Sequence, residues 1–374
     1  MNRPAVNLTD APVAAVIDLP RALPDAIGMG AFLKATICTL SGNRAMVSET
    51  AGDLSSLEQI EVYDNLLRWA LEGMPNPRCV AHDMHPNFYT TTEALALDAR
   101  TLPVQHHHAH TLATAWEHGH TEPVLGLSLD GYGMGPDQAS WGGELLWVDG
   151  LDYRRIGHLV ELPQPGGDIA AREPWRMASA ALFALGRAGE IATRFGSQPH
   201  AAMMAQMLER GVNCPETSSC GRLFDAACGL AGVRDVAEFE GQAPMEFEAL
   251  ADALDVLPNG WELENGRLNL LPLLDRLSSL SPTEASNLFH GTLIAAMAYW
   301  VLQGRDITGI NIVAFGGGCF LNKVLTEGLA SELENNGMKV LQPQKLSPGD
   351  AGLSFGQAIA AGLDAESQGE SPCA

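Results

Sequence analysis

Residues Ile310-Asn311-Ile312-Val313-Ala314-Phe315-Gly316-Gly317-Gly318-Cys319-Phe320-Leu321-Asn322 decide the fold class. An apolar strand runs into three glycines, and a helix is expected to follow as far as Asn336. Strand Lys339 to Leu341 and a last helix from Asp350 come next. The same unit stands earlier in the chain. Pro123 to Leu129 reads as a buried strand that ends in Asp130-Gly131-Tyr132-Gly133-Met134-Gly135. Strands alternating with helices, with glycines where strands end, define an α/β protein whose ligands sit at the carboxyl edges of its strands. Hairpin-like strands near the start of each lobe call for mixed sheets, not a purely parallel one.

Working outward, residues 1–26 carry Pro4, Pro12, Pro20 and Pro24 with little periodicity and read as an extended arm. Ala26 to Gly30 begins a strand and Phe32 to Leu40 continues it. Ser41-Gly42-Asn43 reads as a hairpin turn, with Ala45 to Ser48 as its return. Leu57 to Glu72 has helical spacing. Arg78 to Ala81 is a short strand leading to His82-Asp83. Leu102 to Val104 is another, followed by a helix from about His107 to His118. Gly143 to Trp147 and Tyr153 to Val160 are further strands. Helices are expected over 173–188, 199–210, 221–230 and 245–254, and a long one from Pro282 to Gly304 with Thr283 as N-cap. The organisation this suggests is an arm (1–26), an N-terminal lobe (27–130), the remainder of that lobe with a helical insertion (131–310), and C-terminal lobe elements (311–374).

The 374 residues suit two packed lobes better than one core. The formal net charge is −23, which argues against a single basic face for nucleic acid. An anion must then be held by backbone N–H groups, a few cations or a metal. The seven cysteines include no C-x-x-C pair, so a reducing cytoplasm fits better than a disulfide framework. No apolar run is long enough to span a bilayer, and no secretory signal opens the chain.

Four histidines lie in Gln105-His106-His107-His108-Ala109-His110. His106 and His110 are i,i+4, about 6 Å apart on one helix face, a spacing that lets two imidazoles chelate one metal. The alternative is a solvated polar helix start. His107 and His108 point elsewhere. Asp130-Gly131-Tyr132-Gly133 allows close approach to a phosphate, with the carboxylate holding Mg²⁺ or a water, although most glycine turns are only turns. Gly316-Gly317-Gly318 sets N–H groups at a helix N-terminus, with Asn322 one turn into that helix facing the same cleft. A tight packing turn is the competing reading. Asp350 is either the last helix's N-cap or the third ligand of a His-His-Asp site. Arg172 and Arg176, again i,i+4, stand out in so acidic a chain as a clamp for phosphate or carbamate, or as an ordinary salt-bridged pair.

Taken together, these motifs resemble the C-terminal, TsaD-like domain of the HypF carbamoyltransferases of hydrogenase maturation. The matching stretches run in order through most of the chain. They are G-x-F-L-K-A-T (30–36), A-H-D-M-H-P (81–86), Q-H-H-H-A-H (105–110), S-L-D-G-Y-G-M-G (128–135), W-G-G-E (141–144), P-G-G-D (165–168), R-E-P-W-R (172–176), S-S-C-G-R-L-F-D-A (218–226), E-G-Q-A-P-M-E-F-E (240–248), F-G-G-G-C-F-L-N (315–322) and P-G-D-A-G-L-S-F-G-Q (348–357). The resemblance implies an actin/hexokinase-type fold, two lobes around a nucleotide cleft. It implies a divalent metal, iron or zinc, on His106, His110 and Asp350, and Mg²⁺ with the nucleotide. It implies ATP or an acyl-adenylate held along 130–134 (Asp130, Gly131, Tyr132, Gly133 and Met134), by Asp225, by Gly241, and by Gly316, Gly317 and Gly318 with Asn322. It implies catalytic roles for His106, His110, Asp130, Arg172 and Arg176. In the implied reaction, carbamoyl phosphate and ATP give carbamoyl adenylate, and the carbamoyl group passes to the C-terminal cysteine of the partner HypE. The cyanide ligand of the [NiFe] centre derives from it. A homodimer is compatible with this. Full-length family members carry acylphosphatase, zinc-finger and YrdC-like domains ahead of this one. The sequence shows no counterpart of them and reads as a short form. A tRNA-directed transferase of the TsaD type, a small-molecule kinase on the same fold and a nucleotide-dependent scaffold are the competing expectations.

Overall fold

The computed structural model describes residues 12–369; the rest of the expected arm (1–11) and residues 370–374 lie outside the described residues. A four-stranded mixed sheet in the order β2-β1-β3-β4 is built from β1 (Val13–Gly28), β2 (Cys38–Ser48), β3 (Cys79–Asp83) and β4 (Thr101–Val104). β1 and β2 are antiparallel, whereas β3 runs parallel to both β1 and β4. Two expectations are corrected here. Residues 13–25 are strand, not arm, and Ser41-Gly42-Asn43 lies inside β2 and is no turn. Only Ala26 to Gly28 of β1 pairs on both sides, so Pro20 and Pro24 fall where β1 has a single neighbour, a position that tolerates a missing N–H. Gly42 adopts φ +58° at a register shift. The glycine signal marks an irregularity in a long twisted strand.

Helix α1 (Leu57–Gly73) covers one face of this sheet, burying Tyr63, Leu66, Leu67 and Ala70 at helical spacing. Ser56 caps it by accepting from the Gln59 N–H. The Tyr63 hydroxyl donates to the Met29 carbonyl at 2.7 Å, fixing helix to sheet. α2 (Tyr89–Ala96) follows β3, and α3 (His106–Glu117) follows β4.

The second sheet holds β5 (Val124–Met134), β6 (Ser140–Asp149), β7 (Asp152–Leu159), the short pair β8 (Leu162–Pro163) and β9 (Glu216–Thr217), then β10 (Glu262–Glu264), β11 (Arg267–Asn269), β12 (Ile312–Gly316) and β13 (Lys339–Leu341). β5 is antiparallel to β6 and parallel to β12, so this sheet is mixed as well. Between β8 and β12 the chain is largely helical: α4 (Pro174–Ala184), α5 (Ile191–Arg194), α6 (Ala201–Glu209), α7 (Cys220–Leu230), α8 (Gln242–Glu248), α9 (Leu271–Leu277) and α10 (Pro282–Thr308). α10 starts from a capping box, with Ser281 and Glu284 satisfying each other's backbone N–H. Thr283, the expected cap, is inside the first turn; the pair three residues apart wins because it closes two orphan donors at once. α11 (Lys323–Asn335) and α12 (Leu353–Gly369) complete the chain.

α3 and α12 join the two sheets. α3 packs on β1, β5, β6 and β12, and α12 packs on β1, β2, β3 and α3. A Cβ on Gly356 of α12 would run into the Ala109 carbonyl of α3. No side chain there can relax out of the way, because the obstacle is backbone. Gly356→Val is therefore expected to cost about 1–3 kcal/mol by overpacking, with a lowered thermal midpoint. A melting curve that matches the unsubstituted chain would contradict this contact.

Candidate metal and nucleotide site

α3 begins at His106 because Gln105 caps it, its Oε1 accepting from the His108 N–H at 2.9 Å. That bond leaves the Gln105 amide nitrogen as donor, to His107 Nδ1 at 3.1 Å and to the Met134 carbonyl at 3.3 Å. The cap thus ties the histidine helix to β5. All four histidines are buried, so the solvated-start reading is excluded. His108 Nε2 pairs with the Gly150 carbonyl at 2.8 Å and stacks on Tyr153. His107 lies against Trp141.

His106 and His110 share one face, and two carboxylates meet them there. His110 Nε2 is 3.1 Å from Asp130 Oδ2 and 3.8 Å from Asp350 Oδ1. His106 Nε2 is 3.5 Å and 3.4 Å from the same two atoms. All four donor atoms lie within 4.8 Å of one another. Tetrahedral ligands at roughly 2.0–2.2 Å from a cation would be about 3.3–3.6 Å apart. The observed separations bracket that range. His106 Nε2, His110 Nε2 and Asp130 Oδ2 are buried with no hydrogen-bond partner. Their ion-pair distances come without hydrogen-bond alignment, so the atoms face a common centre. Three orphaned polar atoms at one buried point fit a divalent cation of the iron or zinc kind, given two imidazoles and two carboxylates. Behind them, Asp83 Oδ2 holds His106 Nδ1 at 2.7 Å and so points Nε2 inward.

The electrostatics agree. Burial alone would lower the His106 imidazole, but the Asp350 charge, with Asp130 and Asp83, outweighs it and holds His106 well above the usual histidine range. Burial would lower His110 as well, but Asp130 and Asp350 outweigh it and raise the imidazole. Burial would raise Asp130, yet His106 and His110 hold it well below the usual carboxylate range. Protons on the imidazoles balance the carboxylates when no cation does, and a cation must displace them.

The glycine loops close on this point. β5 continues through Asp130 and shifts register between Leu129 and Gly133, so the Asp-Gly-Tyr segment is a bulge within a strand. Asp130 Oδ1 accepts from the Gly131 N–H at 2.7 Å and the Gly318 N–H at 3.2 Å, tying both loops together. Gly317 has φ +101°, and a Cβ there would strike the Leu129 carbonyl. Gly316 approaches His110 as closely. Tyr132 is 41% exposed beside His85.

Other expected positions are placed differently. The glycine turn leads into a short 3₁₀ turn (Gly318–Leu321), and α11 starts only at Lys323. Asn322 is not one turn into that helix; it is the N-cap, its Oδ1 accepting from the Leu325 N–H while its amide meets His290 Nε2 at 3.1 Å. The helix's first N–H groups are taken by Glu248, which accepts from Lys323 at 2.7 Å. Arg172 is the C-cap of the 3₁₀ turn (Gly167–Ala171) that precedes α4, and Pro174 starts the helix, so Arg172 and Arg176 do not share a helical face. Proline explains this, since the residue before it is driven out of helical geometry. Arg176 is paired with Glu173 at 2.6 Å, whereas Arg172 has no ion-pair partner among the described residues. Asp225 is buried and tied to Arg222 at 2.7 Å; burial raises its carboxyl despite that arginine. Gly241 is the exposed left-handed N-cap of α8.

Residues not assigned a role by the sequence support the bulge. Ser219 caps α7 and donates to the carbonyls of Asp130 and Gly131 at 2.9 and 2.7 Å. Glu144 is fully buried and accepts from the Gly142 and Gly143 N–H groups, Ser218 and Arg155. Asp83 was legible only as an acid at a strand end, the same signal that marks Asp130.

Comparison with known proteins assigns the class. Two family models match, the HypF Kae1-like domain over residues 21–117 and the second subdomain of the carbamoyltransferase Kae1-like domain over residues 126–357. The chain is 42% identical to carbamoyltransferase HypF2 of Cupriavidus necator over 91% of its own length and 47% of that protein's. A carbamoyltransferase HypF homolog of the same organism is also 42% identical, over 89% of this chain and 90% of the homolog. A crystal structure of full-length HypF in the phosphate- and nucleotide-bound form superimposes with a TM-score of 0.87 at 31% identity, covering 93% of this chain and 57% of that one. The fold is therefore the two-lobed α/β architecture of the actin/hexokinase type. The chain belongs to the HypF family, and it spans about half the length of HypF2.

Metal uptake is expected to release protons and to weaken as pH falls, because the raised imidazoles compete for the same lone pairs. Asp83→Asn should lower metal affinity by about 10–100-fold with the fold intact. Calorimetric titration in buffers of different ionisation enthalpy reads both. Affinity that is independent of pH between 6 and 8 would count against the assignment.

Proposed function

We propose that the chain is a carbamoyltransferase of [NiFe]-hydrogenase maturation. It would move a carbamoyl group from carbamoyl adenylate, itself made from carbamoyl phosphate and ATP, to the C-terminal cysteine of HypE. The observation that carries this reading is the convergence of His106, His110, Asp130 and Asp350 where the β5 bulge and the 316–318 turn meet. Family membership supports the reaction class.

In this reading His106, His110, Asp130 and Asp350 hold one divalent cation. When bound, it supplies positive charge beside the nucleotide phosphates. The chain's own residues do the rest. Asp130 keeps the two glycine loops at a fixed separation through its bonds to Gly131 and Gly318. Tyr132, exposed at the bulge, offers an aromatic face to a nucleotide. Arg172, free of an ion-pair partner among the described residues, is one cation available to a phosphate or carbamate oxygen. Arg176 is engaged by Glu173 and orients the 172–176 segment. The cysteine sulfur attacks the carbamoyl carbon, a C–S bond forms, the C–O bond to phosphate breaks, and AMP leaves.

The charge of −23 disfavours a tRNA substrate. No helix among the described residues is long and apolar enough to cross a membrane.

The test supplies a peptide ending in cysteine with carbamoyl phosphate and ATP, or with preformed carbamoyl adenylate. Thiol carbamoylation by mass spectrometry is expected from the adenylate, and pyrophosphate from ATP reports whether this chain also activates. His106→Ala should lower transfer by more than about 100-fold, since several kcal/mol of charge stabilisation are at stake. Salt-sensitive tRNA binding with no thiol product would replace this reading with the tRNA-directed one.

A further inference from the structure

At the end of β3 opposite Asp83, a cavity of about 450 Å³ opens between the β1–β2 hairpin and the C-terminal end of α1. Asp25, Thr39, Ser41, Arg44, Trp69 and Met74 are among its walls. The location is fixed by the Arg78 N–H donating to the Asp25 carbonyl, one residue before β3 begins. Asp83 and the His106 it holds are at the other end of that strand.

Three features mark it as a built site. The Thr39 hydroxyl is 5% exposed as a residue and its Oγ1 has no hydrogen-bond partner. Unpaired buried hydroxyls are rare, because each forfeits its hydration. Next, Arg44 and Asp25 line the same space without forming an ion pair, and neither has an ion-pair partner elsewhere among the described residues. Ser41 donates to Asp25 Oδ1 at 2.7 Å and so holds that carboxylate in place. Opposite charges kept apart in one cavity leave a gap that a ligand with complementary ends would bridge. Finally, α1 carries no basic residue in its last turn. The negative end of its dipole therefore adds to Asp25 on one side, while Arg44 supplies the positive side. Trp69, Met46 and Met74 line the apolar part.

We propose that this cavity binds a small zwitterion of the α-amino acid class, with an apolar side chain. The carboxylate meets Arg44, the ammonium meets Asp25 and the α1 carbonyls, and the side chain lies on Trp69. The volume is that of a small-molecule site. The site is independent of the metal cluster and of carbamoyl transfer.

Isothermal titration calorimetry of the full chain with apolar and aromatic L-amino acids tests it. Saturable one-to-one binding is expected, unchanged by a chelator. Phenylalanine should bind at least ten-fold tighter than 3-phenylpropionate or 2-phenylethylamine, which lack one charge each. Arg44→Gln and Asp25→Asn sit at the exposed rim, where folding is not at stake, and each should weaken binding ten-fold or more. Absence of saturable heat with every amino acid overturns the proposal. So does equal binding of the single-charge analogues, or unchanged affinity in Arg44→Gln.

Discussion

Two imidazoles and two carboxylates from three distant chain segments are buried at one point, and the architecture is arranged around that constraint. Taking such groups out of water costs several kcal/mol each unless the charges are balanced. Balance here is collective. Asp83 and Asp350 hold the His106 proton, while His106 and His110 hold Asp130 ionised. The four groups arrive on three elements: both imidazoles on α3 from the first sheet's edge, Asp130 on the bulge of β5 in the second, and Asp350 on the turn ahead of α12. Packing α12 on α3 through Gly356, and the 316–318 turn on Leu129 and His110, lets backbones approach closely enough for these groups to meet. The site and the junction of the lobes are therefore one physical object.

Much of this was legible because the signals are local. A strand-glycine rhythm at 123–135 and 310–318 defines the sheets, and the i,i+4 spacing of His106 and His110 places them on one face whatever the tertiary structure. What failed was non-local. Residues 13–25 form a strand only because β2 lies alongside them. Ser41-Gly42-Asn43 looks like a turn until that same pairing is known. Thr283 lost to Ser281 because a reciprocal bond with Glu284 decides the cap. Arg172 and Arg176 have helical spacing, but the helix starts only at Pro174, between them. Asp83 acts through His106 across 23 residues, a separation for which the sequence holds no spacing rule.

The sequence's acidity leaves few cations for anionic ligands, and their pairing state sorts them. Arg176, Arg222 and Arg155 are spent on Glu173, Asp225 and Glu144. Arg172 ahead of α4 and Arg44 at the far end of the first sheet are free of such partners among the described residues. The glycine loops are likewise partly spent. Gly318 gives its N–H to Asp130 and Gly317 gives its own to Pro348. In the proposed function, recognition of a nucleotide at this cleft would depend on a cation held by His106, His110, Asp130 and Asp350 more than on a general basic surface.

That dependence is what a diffraction experiment tests most directly. Crystals of the chain grown with iron or zinc, measured above and below the metal's absorption edge, should show one anomalous peak between His106 Nε2, His110 Nε2, Asp130 and Asp350, at about 2.0–2.2 Å from each ligand atom. The absence of a peak there at full metal occupancy in solution, or a peak elsewhere in the chain, would contradict the account.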